Sequence, residues 1–114
     1  MTLPKRITKA KKPDKRWRSS AHCNFVRSHE CSNPKCEHGR PIEVAHVRTG
    51  TDGGMSMKPS DWWTISLCAH CHALQHRIGE GPFEREAKID MKALATEFAN
   101  ASPKRREIRG AQNV

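Results

Sequence analysis

The sequence predicts a small α+β domain closed around a structural zinc, with a C-terminal helix and disordered basic arms at its ends. Three observations predict it. With 114 residues, 35% of them hydrophobic and only three Trp, three Phe and no Tyr, the chain has room for one domain whose core is too small to hold it unaided. Two turn-sized cysteine pairs, Cys31 with Cys36 and Cys68 with Cys71, flank a segment that reads as two strands. The charge is also segregated. Eight bases face Asp14 alone up to Arg18, a net of +7, and four face Glu107 alone from Lys104 on, a net of +3; the whole chain carries +9, so the middle carries −1.

Residues 1–18, rich in Lys, Arg and Pro, read as an arm that is disordered when free, with order beginning near Trp17. Its bases Lys5, Arg6, Lys9, Lys11, Lys12, Lys15, Arg16 and Arg18 are candidate contacts to the phosphates of DNA, the alternative being a solubilising tail. Residues 19–103 form the domain and 104–114 a second basic tail. Within the domain, His22 to Arg27 suits a short helix or a strand. The Asn33-Pro34 pair marks a tight turn between Cys31 and Cys36.

Ile42 to Val47 reads as a strand, β-branched and partly alternating, that ends at Arg48. Residues 49–59 hold Gly50, Gly53, Gly54 and Pro59 and form a long loop, after which Trp62 to Leu67 supplies the second strand of a hairpin. From Ala69 the period becomes helical for about ten residues, with Cys71, Leu74 and Ile78 on one face and Gly79 at the C-terminal cap. Gly81-Pro82 is expected to end it firmly. Asp90 can cap a second helix with Met91, Leu94 and Phe98 on its apolar stripe, and Pro103 stops that helix.

Four thiolates from Cys31, Cys36, Cys68 and Cys71 suit one tetrahedral Zn2+, whose bonds supply the stability the core lacks. Cys23 remains as a small buried hydrophobe, and His22, His29 and His38 as surface or structural residues. His72 and His76 stand at i, i+4, so they are either two solvated side chains or a chelating pair for a second metal.

The series from His46, through a Gly-rich loop and a second strand, to Leu67-Cys68-Ala69-His70-Cys71-His72-Ala73-Leu74-Gln75-His76 resembles the HNH, or His-Me finger, endonucleases. Ile42-Glu43-Val44-Ala45-His46-Val47-Arg48, Gly53-Gly54-Met55 and Lys58-Pro59-Ser60-Asp61 bring it closer to phage and prophage HNH proteins with a four-cysteine zinc site. The likeness spans about residues 22–101. It implies a ββα-metal fold and metal-dependent hydrolysis of a DNA phosphodiester, by an endonuclease or nickase. By the same resemblance His46 is the general base, His72 and His76 hold a catalytic divalent cation (Mg2+, Mn2+, Ni2+ or Zn2+), and Arg48 either clamps the scissile phosphate or is a solvated charge. The chain departs from the family at two positions. Ala45 replaces a usual metal ligand, which leaves Glu43, water or phosphate oxygens to complete the shell, and Trp63 replaces a usual asparagine, whose orienting role falls to Asp61.

The alternative reading is a non-catalytic, zinc-stabilised DNA-binding module built on the same cysteines and arms. A protein-interaction adaptor would not need its charge concentrated in two tails. The length excludes a large two-domain enzyme. No run approaches the roughly 20 apolar residues of a membrane span, and Met1 to Arg6 lack the apolar run of a signal peptide, so a cytoplasmic place in a bacterium or phage-infected cell is expected.

Overall fold

A computed structural model describes residues 2–5, 16–54 and 57–113. Of the arm's candidate phosphate contacts, Arg6, Lys9, Lys11, Lys12 and Lys15 lie outside the described residues. The order is α1 (Ser20–Arg27), β1 (Ile42–His46), β2 (Thr64–Cys68), α2 (Ala69–Ile78), α3 (Glu80–Ala87), α4 (Met91–Ala101) and α5 (Arg105–Gln112). The architecture is the expected small α+β domain, a two-stranded antiparallel sheet followed by helices, with β1, β2 and α2 in a ββα arrangement beside a four-cysteine cluster.

The register pairs Ile42 with Cys68 and His46 with Thr64. It sets the thiol of Cys68 at one end of the hairpin and the imidazole of His46 at the other. Every residue of β2 is buried. Ile65 and Leu67 enter a core with Ala45, Val47, Phe83, Ala87, Met91 and Ala95. Thr64 and Ser66, on the alternate face, are satisfied instead by hydrogen bonds: Thr64 Oγ1 donates to Asp61 O (2.7 Å) and Ser66 Oγ to Glu30 O (2.7 Å). This is why a strand with two hydroxyl residues tolerates burial on both sides.

The segment that suited helix or strand is a helix. Ser19 caps α1, its Oγ accepting from His22 N at 3.1 Å, which satisfies an amide no intrahelical carbonyl can reach. Gly79 caps α2 as expected, with φ at 92°. Gly81-Pro82, however, does not break the chain: both lie in the first turn of α3, where a missing N–H costs nothing because that amide has no acceptor in the helix. Asp90 caps α4 through Ala93 N at 3.1 Å. The fully buried stripe of α4 is Met91, Ala95 and Ala99 rather than Met91, Leu94 and Phe98, the latter two being half-buried beside it. Two small residues let the helix sit close on β2.

The C-terminal end is more ordered than expected. The basic tail forms α5, held by the buried Ile108. Trp17 stacks on Trp62 with centroids 5.6 Å apart and donates its ring N–H to Glu107 Oε1 at 3.1 Å. Among the described residues the folded body thus takes in the Arg16–Arg18 segment, in line with order beginning near Trp17. The long loop closes on itself, since Asp52 accepts from Ser60 N (2.9 Å) and from Ser60 Oγ (2.5 Å). Among the described residues, no helix is long and apolar enough to cross a membrane.

Candidate functional site

The sulfurs of Cys31, Cys36, Cys68 and Cys71 all lie within 4.8 Å of one another, and Cys36 and Cys68 Sγ are 3.4 Å apart. A tetrahedral zinc with bonds of about 2.3 Å sets its sulfurs about 3.8 Å apart. All five cysteines are free thiols. Burial pushes the Cys36 thiol up, but the backbone at Gly39 and His38, with Cys68 and Cys31 beside it, outweighs burial and brings it down to about 6. Burial, reinforced by Cys68, pushes Cys71 up strongly, and burial also raises Cys31. Four thiolates packed this closely need a cation between them, so metal uptake would release protons. The all-sulfur donor set and its spacing fit zinc. Among the described residues, these four form the one group of three or more such side chains able to share an ion.

Cys23 is half-buried and apart from that cluster; burial, then the charge of Asp61, pushes its thiol up to about 11. None of the three histidines set aside as surface or structural belongs to the cluster. His22 is buried with Nδ1 2.8 Å from Ser102 Oγ, His29 donates from Nδ1 to Phe25 O at 2.8 Å, and His38 stacks on His70 at 3.9 Å.

A cleft of about 520 Å³ opens on another side of β1 and α2, and it collects His46, Arg48, His72 and His76 together with Glu43 and Asp61. His46 stands at the end of β1, its Nε2 2.9 Å from Asp61 Oδ1. Asp61 comes from the turn before β2, and its other oxygen accepts from Ser19 N at 2.8 Å. Burial would raise this carboxyl, but the hydrogen bonds from His46 and Ser19 and the charges of His46 and Arg18 prevail, and its pKa falls below the usual value. An ionised Asp61 can only accept. His46 in its neutral form therefore carries its proton on Nε2, leaving the lone pair on Nδ1.

On α2, one turn separates His72 and His76, and their Nε2 atoms converge to 3.1 Å. That separation matches two nitrogens sharing an ion at about 2.0–2.1 Å, which lie about 2.9–3.4 Å apart. Glu43 is not poised as a ligand beside them. Its Oε1 sits 2.8 Å from His72 Nδ1, so it takes the hydrogen of that nitrogen and turns Nε2 outward as the donor of an electron pair.

Arg48 is exposed. Its backbone N–H donates to Glu80 Oε2 at 2.8 Å and its guanidinium to Met57 O at 3.2 Å. Arg18, expected in the arm, lines the cleft instead, and Arg16 lies 4.0 Å from Asp52.

A family model described as Protein of unknown function (DUF968) matches residues 4–102. The chain belongs to that family. The match takes in the four cysteines, the whole cleft and the helices through α4, and leaves α5 outside. No curated protein and no solved structure matches the chain.

Two cleft residues of this DUF968 chain carry no signal in the sequence. Arg27, on the last turn of α1, and Lys58, in the loop, join Arg18 and Arg48 around the histidines. Each is a lone base among many, and only the packing of α1 against the hairpin gathers them. Glu43 and His72 come from β1 and α2, 29 residues apart, and only the fold brings the carboxylate to the ring nitrogen.

Proposed function

We propose that this chain is a metal-dependent endonuclease or nickase acting on DNA phosphodiesters. The observation that carries the reading is that His72 and His76 Nε2 converge to 3.1 Å in the same cleft that holds the His46–Asp61 pair. One group is arranged to receive a divalent cation, the other to receive a proton. The bound cation would stabilise charge on the phosphate and on the leaving oxygen.

His46 takes a proton from water at Nδ1 while Asp61, on Nε2, stabilises the imidazolium that results. The oxygen of that water bonds to phosphorus, the bond to the 3′ oxygen breaks, and solvent protonates the departing oxygen. Arg48, with Arg27 and Lys58 at the same cleft, offsets the charge of the bound backbone. The arms, with six bases up to Lys15 and three arginines on α5, bind more of the duplex without reading its sequence.

A specific observation favours the second reading, a DNA-binding module without turnover. Ala45 is fully buried where a third ligand would stand, and among the described residues no third donor joins His72 and His76. Plasmid nicking by the zinc-loaded protein with Mg2+, Mn2+ or Ni2+, against EDTA and against His46→Ala, decides between them. The nuclease reading expects metal-dependent nicking that falls roughly 10²-fold or more in His46→Ala while DNA binding persists. Tight binding with no cleavage of duplex, branched or single-stranded DNA leaves the binding module.

A further inference from the structure

We propose that Arg18 is a positioning residue for His46, acting through Asp61 and the loop that carries it, rather than one of the phosphate contacts of the arm. The proposal deepens the nuclease reading and rests on it for the role of His46. Its ground is where the guanidinium goes. Nη2 donates to Lys58 O at 2.9 Å, and Nη1 to Pro59 O and, at 3.3 Å, to Asp61 Oδ1. One planar fork thus spans the segment 58–61, the last stretch of the loop before the turn that leads into β2.

The neighbours of Arg18 grip the same segment. Asp61 N donates to Trp17 O at 2.9 Å, Trp17 N to Ser60 Oγ at 3.1 Å, and Ser19 N to Asp61 Oδ2 at 2.8 Å. Asp61 is consequently held on both oxygens, and Oδ1 is shared between Arg18 and His46 Nε2. A carboxylate fixed in this way can select one imidazole tautomer and one ring orientation; a carboxylate free to rotate cannot. Arginine suits the task because its donors are set in a rigid plane, whereas lysine would offer a single point of charge.

The two roles for Arg18 make opposite kinetic forecasts. A phosphate contact changes DNA affinity and its salt dependence and leaves kcat alone. A positioning residue changes kcat, because misplacing the base by a fraction of an ångström costs rate at saturating substrate, and leaves the salt slope alone.

The experiment uses the full-length, zinc-loaded protein with Arg18→Ala, Arg18→Lys and, for comparison, Lys15→Ala. In Arg18→Ala, kcat for nicking is expected to fall roughly tenfold to a hundredfold, with KM and salt slope as in the wild type. Millimolar methylguanidinium should restore part of the rate, and Arg18→Lys should fall between. An unchanged kcat with a flatter salt slope overturns the proposal, and so does a loss no larger than the unfolded fraction seen by circular dichroism. A readout that needs no turnover accompanies these. Long-range 15N spectra of the His46 ring should show its proton on Nε2 in the wild type and tautomer averaging in Arg18→Ala, or in Arg18→Lys if the alanine variant does not fold. Unaltered ring shifts in the folded variant overturn the proposal even where the wild type itself proves unable to nick DNA, a result that would sink the nuclease reading separately.

Discussion

Glu43 shows how one carboxylate decides what a histidine can do. By accepting from His72 Nδ1 at 2.8 Å, it commits the ring to presenting Nε2 towards His76. Glu43→Ala is expected to weaken binding of Ni2+ to the zinc-loaded protein roughly tenfold to a hundredfold in calorimetric titration; an unchanged affinity would show that the ring needs no such partner. His22 yields a prediction about acid. Burial depresses its pKa, and the opposing charge and backbone of Asp61 do not compensate. The unfolded chain then takes up a proton near pH 6.5 that the folded chain refuses. The contribution of neutral His22 to stability is complete above that pH and drains away as the pH falls through it towards the lower folded value. The drop in Tm between pH 7.5 and 5.5 should accordingly be smaller in His22→Gln than in the wild type, and parallel curves would refute this. Sequence could find the four-cysteine cluster and nominate His46, His72 and His76 as candidates, because residue type and local spacing carry that chemistry. It could not select Arg18, Arg27 or Lys58, or the contact of Glu43 with His72, because each takes its place from a segment at least a dozen residues away.

At the scale of elements, α2 joins the two halves of the site. Cys68 ends β2, caps α2 by accepting from Cys71 N at 3.4 Å, and supplies a sulfur to the cluster; four residues later the same helix presents His72. We expect one Zn2+ per chain to co-purify, and Cys68→Ser, whose hydroxyl can still cap α2, to lose the zinc and with it the fold. Elemental analysis finding no zinc in well-folded protein would contradict that. The hairpin, α2 and α4 were legible because each has a strong local signal, whether β-branched alternation, a 3.6 period or a capping residue. The α3 helix was not, since Gly81-Pro82 reads as a stop unless one knows that it falls within a first turn. Nor was α5, whose single apolar anchor, Ile108, gives no period to detect.

At the scale of the molecule, the contacts of Arg16–Arg18 divide the basic N-terminus into two parts, to which the proposals above give different work. Deleting residues 2–15 removes six bases and spares Trp17 and Arg18, so the salt dependence of DNA binding should flatten, by about 0.9 in log–log slope for each phosphate no longer neutralised, with the melting temperature unchanged. Carrying the deletion through residue 18 should also lower the melting temperature and kcat. Fluorescence anisotropy across a salt series, beside a thermal melt, separates the two. The hydrogen bond between Trp17 and Glu107, 90 residues apart, has a consequence for avidity. It brings the root of the N-terminal arm against α5, whose Arg105, Arg106 and Arg109 are exposed, so once one basic segment has hold of a nucleic acid the other meets it at high effective concentration. If the proposed DNA binding holds, the chain is expected to act as a bivalent ligand on a duplex long enough to reach both, losing most of the joint affinity with either segment; on an oligonucleotide too short to bridge them, the two losses should be small and simply add.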